Sequence, residues 1–364
     1  LSDAATGCYV RIVQFDYPTP NYSAQPGMAE ASKRDRQDLS PDGGLTSLAG
    51  VTRDGQPLSL NRAPIEALQP YVCRIYATRV EADDDNEVSC GIFSDMPALR
   101  FIFAGEWCGK TVTGPFEHGR GMFFYGPQSK RMPASVRGGF STVTIQFQPG
   151  AIAALGGPDI EHYVDRIVPL AAVWPETNPG WIDDFDPQAS LHDWLELAEA
   201  CLMQVADTAS HALPNEITRS FDHACLMDPN LRITDFAEHH EVSSRTVTRL
   251  INRDFGLPPK KVLQRARALD LAATLRGIVE PQERDVAALR YYDQSHMIRE
   301  FSRIFDMTPH AFSKRPQPIL TMTLETRQAR RLEAIRELQE NALPSWRDPE
   351  AEPKAAPTVS RTAS

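Results

Sequence analysis

A chain of 364 residues, 41% hydrophobic and 24% charged, is longer than one ordinary domain, so two folded domains with flexible ends are expected. It contains no apolar run long enough to span a bilayer. Its first thirty residues, from Leu1, lack a basic stretch followed by a short apolar run, so no signal peptide is read there and the cytoplasm is the expected location. The net charge of -10 argues against a polyanionic partner only until its distribution is considered: residues 228–340 hold 19 Lys/Arg against 16 Asp/Glu. A DNA surface needs basic residues on one face rather than a basic chain.

Residues 1–62 are polar and rich in Pro, Gly, Ser and Asp without a sustained period, and are expected to be largely disordered. Over 63–180 a β-rich, sandwich- or barrel-like domain is expected, of a sensor or dimerisation type. YVCRIYATRV, ALRFIFAG, RGMFFYGP and FSTVTIQF are short aromatic and β-branched runs set off by turn residues. Val143, Ile145 and Phe147 alternate with Thr142, Thr144 and Gln146, the pattern of a strand buried on one face. A helical reading takes over at PGAIAALGG and DIEHYVDRIVPL.

A linker helix is placed in 181–213, where Leu191, Leu195, Ala198 and Leu202 form one stripe with Trp194 beside it. That stripe can pack on its own domain or join two protomers. The six cysteines, Cys8, Cys73, Cys90, Cys108, Cys201 and Cys225, are scattered without zinc-ligand spacing, so buried reduced thiols are expected. His118 next to Glu117 has no further ligand at metal spacing. Trp107, Phe123, Phe124 and Tyr125 could line a cavity, although aromatic residues in small β domains more often form the core. No cofactor or metal is called for, and the common hydrolase and nucleotide-binding motifs are absent.

The segment 214–316 carries one pattern twice. In LRITDFAEHHEVSSRTVTRLINRDFG, Ile233, Phe236 and Ala237 face inward from a short helix, HHEV turns, and Ser243 caps a second helix. That helix has an apolar stripe of Val247, Leu250 and Ile251. Its opposite face carries Arg245, Thr248, Arg249 and Asn252, the division a recognition helix needs to sit in the core and reach the major groove. In DVAALRYYDQSHMIREFSRIFDMTPHAF, Asp293 caps a helix whose Ile298, Phe301 and Phe305 point inward. Gln294, Ser295, His296, Arg299 and Arg303 then lie at its start or on its outer face. Between the copies, PPKKVLQRARALDLAATLRG reads as one helix from Pro258 to Arg276, with Gly277 just past its end. A C-terminal helix over 317–340 and a disordered tail over 341–364 complete the chain.

From about Asn215 to Phe312 the chain resembles the DNA-binding domain of AraC-family transcription regulators. YYDQSHMIREFSRIFDMTPHAF carries the resemblance most specifically, supported by SSRTVTRLINRDFG, the following PPKK and the basic helix QRARALDLAATL. The resemblance implies an α+β, multidomain chain in which an all-α double helix-turn-helix unit follows the β-rich part. Its recognition helices, about 243–253 and 294–305, would enter successive major grooves. It assigns base and phosphate contacts to Arg245, Thr248 and Arg249 in the first and to Gln294, Ser295, His296 and Arg299 in the second. Glu241 and Arg290 stand where the family commonly has glycine. GMFFYGPQSKRMPASVRGGFSTVTIQFQPGAIAALGG with DRIVPLAAVW is more weakly similar to domains found ahead of this unit in some AraC-type proteins. Double-stranded DNA is the expected partner, with RNA polymerase added for an activator. A homodimer and a small-molecule effector in the N-terminal domain are left open. The chain is read as a non-enzyme: the related fusion to a DNA-repair alkyltransferase needs a Pro-Cys-His acceptor that is missing here. The remaining alternative is a regulator acting through protein contacts with weak or lost DNA binding.

Overall fold

Two strands of 14 residues each, β5 (Ala98–Thr111) and β8 (Ala134–Phe147), organise the N-terminal part. Their β-branched and aromatic residues suit an extended backbone packed on both faces. The computed structural model describes residues 45–209, 212–280, 294–335 and 343–352, all within one compact unit spanning 40–364. The other strands are β1 (Thr46–Ser47), β2 (Leu60–Arg62), β3 (Val72–Glu81), β4 (Glu87–Ser89), β6 (Gly114–His118), β7 (Gly121–Tyr125) and β9 (Ile167–Pro169). All pair antiparallel in one nine-stranded sheet of order β1-β3-β8-β5-β7-β9, with β2 on β3, β4 on β8 and β6 on β5. In register, Leu99 faces Ile145 and Arg100 faces Thr144.

One face of the sheet, carrying Ile75, Ala77, Leu99, Phe101, Val143 and Ile145, forms a core with helix α2 (Leu191–Thr208) and with Trp174 and Trp181. A short helix α1 (Ala151–Ala154) packs into the same core. Ser190 caps α2 in a reciprocal box with Asp193, and Leu191, Trp194, Leu195, Ala198 and Leu202 point into the sheet. The α2 stripe therefore serves its own core and is not a face left for a second protomer or a free linker.

The opposite face is where the alternation in β8 misleads. Thr142, Thr144 and Gln146 are as buried as their apolar neighbours, at 4%, 0% and 2% exposure. The C-terminal helix α9 (Pro318–Ile335) packs against β3 on this side, and Arg74 of β3 pairs with Glu333. A polar strand face is expected to meet water, but here it meets a helix that carries its own polar groups.

The remaining helices are α3 (Glu216–Met227), α4 (Ile233–His239), α5 (Ser244–Phe255), α6 (Pro259–Leu275), α7 (Gln294–Phe305) and α8 (Pro309–Lys314). An antiparallel sheet region followed by these helices is the α+β arrangement expected. Three details differ from the sequence reading. Residues 45–62 are folded rather than loose, because β1 and β2 hydrogen-bond to β3 and Ala49 and Leu58 are fully buried. Within DIEHYVDRIVPL, Ile160–Tyr163 is a 3-10 turn, Ile167–Pro169 adds a strand to β7, and Leu170 begins a second 3-10 turn. The tail returns at 343–352: Trp346 and Arg347 are 4% and 6% exposed, and Arg347 bonds to Glu325 and to the Ser59 carbonyl. No described helix is long and apolar enough to cross a membrane.

Candidate nucleic-acid interface

The first unit is built by a cap and a stripe. Ser243 Oγ accepts from the Thr246 amide at 3.1 Å and starts α5. Val247, Ile251 and Phe255 are buried against Phe221, Phe236, Val262 and Leu263 from α3, α4 and α6, and Leu250 is buried on the same stripe. Inside this core Asp254 is 2% exposed and accepts from Thr218 Oγ1 at 2.6 Å and from Arg253. Gly256 ends the helix at φ +67°, where a Cβ would stand 2.6 Å from Val164 Cγ2; both its conformation and the close approach need glycine.

With that face fixed, Arg245 and Arg249 are exposed and, among the described residues, in no ion pair. Thr248 is exposed, but its hydroxyl donates to the Ser244 carbonyl at 2.9 Å, so its oxygen offers an acceptor to an incoming group. Asn252 is half-buried, with Oδ1 enclosed and unpartnered. These four residues, Ser244 and Arg253 line an open cleft of about 720 Å³ together with Asp159 and Glu161, which flank and enter the 3-10 turn beside α5. The side-chain hydrogen bond from Arg253 to Asp254 raises the arginine's pKa, and Asp159 adds to this against the opposing effect of burial.

In the second unit, Phe301, Phe305, Ile304 and Met297 of α7 are buried against α6 and Phe312 of α8. The inward stripe thus runs through Met297 and Ile304, not Ile298, which is 37% exposed. The helix is rotated so that Glu300 also faces inward. Glu300 forms a two-point ion pair with Arg267 of α6, both bonds at 3.0 Å, and Arg267 also donates to the Pro229 carbonyl. This link between α6 and α7 went unread in the sequence, although Glu300 shares a helical face with Met297 and Ile304. Gln294, Ser295, His296, Arg299 and Arg303 are all exposed. Arg299 is in no ion pair among the described residues, whereas Arg303 donates to Gln264 Oε1 at 3.0 Å. Asp293 and Arg290 lie outside the described residues.

α6 begins at Pro259 and ends before Gly277, as the sequence indicates, and packs on both α5 and α7. Glu241, in the turn before α5, has φ +54°. A left-handed backbone with a Cβ costs energy that glycine avoids, offset in part by the greater freedom of glycine in the unfolded chain. Glu241→Gly is expected to raise stability by up to about 1 kcal/mol, seen as a higher urea midpoint at constant m-value.

Outside this region the candidate chemistry dissolves into packing. His118 stacks on Phe123 with ring centres 4.2 Å apart, and its Nε2 lies 3.1 Å from the Tyr125 hydroxyl. Burial lowers its pKa to about 4, leaving it neutral near pH 7. Among the described residues no His, Cys, Asp and Glu gather as a metal-binding group. Trp107, Phe124 and Tyr125 are core residues at 3% exposure or less, and Phe123 is half-buried. Cys73, Cys90, Cys201 and Cys225 are buried thiols outside any disulfide among the described residues, and Cys108 is exposed. Burial pushes the Cys73 and Cys201 thiols up to about 12, which removes the thiolate that redox chemistry needs.

A family model described as a helix-turn-helix domain matches residues 236–315, from the buried Phe236 of α4 to the end of α8. No curated protein matches the chain. Among solved structures, ToxT from Vibrio cholerae is 9% identical over 66% of this chain and 97% of its own, with TM-score 0.39. ToxT with a bound unsaturated fatty acid is 9% identical over 66% and 93%, with TM-score 0.37. The AraC-like transcriptional activator CuxR is 10% identical over 58% and 86%, with TM-score 0.25. Likenesses of this size carry nothing about ligand or activity.

Proposed function

We propose that the chain is a DNA-binding transcription regulator of the AraC type, in which the helix-turn-helix match over residues 236–315 supports α5 and α7 reading DNA through Arg245, Thr248, Arg249, Asn252, Gln294, Ser295, His296, Arg299 and Arg303. The observation that carries this reading is the same in both units. Each helix buries one stripe in its core and turns arginines outward, and Arg245, Arg249 and Arg299 are in no ion pair among the described residues. An unpaired arginine fork suits the O6 and N7 edge of guanine or a phosphate. Arg303, braced on Gln264, suits a phosphate contact that fixes register. Recognition helices of one subunit in successive major-groove segments would sit about one DNA turn, roughly 34 Å, apart. Regulators of this type are typically not enzymes.

Selection of bound sequences from a random DNA pool with the full chain tests this. An enriched motif with two short conserved blocks about one turn apart is expected. Recovery of no motif at any salt concentration would favour a regulator that works through protein contacts. A homodimer would double the blocks, and an activator would add RNA polymerase as a partner.

The acids in the first cleft make a separate expectation. Asp159 and Glu161 face the region that a phosphate backbone would approach along α5. Their like charge opposes DNA within a Debye length, about 8 Å at physiological salt. Asp159→Asn with Glu161→Gln is expected to tighten binding several-fold at low salt, with the gain shrinking as salt rises. Fluorescence anisotropy on a labelled duplex checks it, and unchanged affinity would show that DNA passes clear of the turn.

A further inference from the structure

A second cleft, of about 580 Å³, lies where β4 and the start of β8 meet Met307 and the segment between α8 and α9. Its volume is that of a small-ligand site. Two arginines line it. Arg131, half-buried in the loop before β8, and Arg315, exposed at the end of α8, are each in no ion pair among the described residues. Burial lowers the pKa of Arg131, Cys90 and Asp306 oppose the shift, and Arg315 pushes it in the same direction as burial. The two cations repel each other here, Asp306 acts on Arg131 in the opposite sense, and Glu87 stands on the exposed rim. Gln317 also lines the cleft. It is 2% exposed, its Nε2 reaches Met307 Sδ at 4.0 Å, and its buried Oε1 has no partner among the described residues. A buried amide oxygen without a donor is costly and points to a group that is missing. Val88, Ala134, Pro316 and Pro318 make the remaining wall apolar.

We propose that this cleft binds a small anionic effector, whose carboxylate or phosphate bridges Arg131 and Arg315 and whose adjacent hydrogen-bond donor reaches Gln317, over an apolar body. The site is wired to the DNA surface. The Arg131 amide donates to the Ile304 carbonyl and its Nε to the Phe305 carbonyl, both at 2.8 Å, in the last turn of α7. An anion that draws the guanidinium away competes with the Phe305 carbonyl, so anion binding and the seating of α7 are linked. The effect on DNA rests on the reading of α7 as a recognition helix; the binding of the anion does not.

Thermal unfolding of the full chain is followed with inorganic phosphate and with benzoate, each against chloride of equal ionic strength. At least one of the two should raise Tm by a few degrees in a saturable manner. Phosphate acting alone indicates a phosphorylated ligand, and benzoate acting alone a carboxylate. Arg315→Gln, at an exposed position, should keep the Tm of the free protein and abolish the response. Gln317→Leu should raise the Tm of the free protein by removing the unpaired oxygen. No rise above chloride in the wild type, or an equal rise in Arg315→Gln, overturns the site. With the active anion, affinity for a random-sequence duplex should change at constant ionic strength in the wild type and not in Arg315→Gln. A Tm response with unchanged DNA affinity overturns the link through Phe305. Failure of either protein to bind DNA overturns the recognition-helix reading instead.

Discussion

Arg327→Met is expected to lower the free energy of unfolding by about 3–5 kcal/mol, because it leaves buried carboxylates without their cation. Arg327 is 4% exposed and donates to Asp95 at 2.5 Å and to Asp270 at 3.2 Å. Asp95 precedes β5 and Asp270 lies on α6, so one side chain of α9 ties the sheet to the helix on which α5 and α7 pack. Its neighbours repeat the device: Arg330 pairs with Asp222 of α3 at 2.5 Å, and Arg331 with Asp270 at 3.3 Å. Methionine fills similar volume, so the loss measures charge rather than a cavity. Adding Asp95→Asn should restore part of it, since that carboxylate no longer needs a partner, while Asp270 keeps Arg331. Denaturant midpoints of the single and double variants give the comparison. Equal stability of Arg327→Met and wild type would mean that water relieves the carboxylates.

The same network gives a pH dependence with a definite sign. Burial raises the Asp95 carboxyl, but Arg327, Arg265 and Arg330 outweigh it, and its pKa falls below the ordinary 3.8. A group depressed on folding contributes its full stability above its unfolded value and loses it as pH falls through the folded one. The wild type should therefore lose stability below about pH 4 more steeply than Asp95→Asn.

The second large effect is on DNA. Arg245→Ala with Arg249→Ala should cost about 1 to 3 kcal/mol for each arginine that reads a base in the selected site. An arginine that clamps a phosphate instead should weaken all sequences alike and lower the salt slope by about 0.9. Anisotropy titrations across salt, on selected and scrambled duplexes, separate the two. Since both side chains are exposed and in no ion pair among the described residues, the double variant should unfold at the wild-type temperature. A loss of affinity accompanied by a fall in Tm would assign it to folding rather than contact.

The helix-turn-helix units were legible because their determinants are local. A capping serine, an apolar stripe at helical spacing and a terminal glycine are local signals, and Ser243, Val247 and Gly277 all stand where the pattern puts them. Strand positions were legible for the same reason in β3, β5, β7 and β8. Ile298 was misplaced because neighbouring Met297 and Ile298 are both apolar and fit stripes one residue apart; the pairing of Glu300 with Arg267 chose the rotation. Residues 45–62 were missed because they are held by sheet pairing and by Arg347, far along the chain, rather than by any period of their own.

The sequence by itself determined where α5 and α6 start and stop and that the outer faces of α5 and α7 carry arginine, since these follow from backbone capping and side-chain periodicity. Only the tertiary structure decided what the polar face of the sheet is for. Thr144 and Gln146 read as solvent-facing until α9 covers them. Nothing local announces that the arginines of α9 are buried, because a charged side chain enters a core only when its counter-charge arrives from elsewhere in the chain. Asp95, Asp222 and Asp270 arrive from three different elements, and the fold alone brings them to one helix.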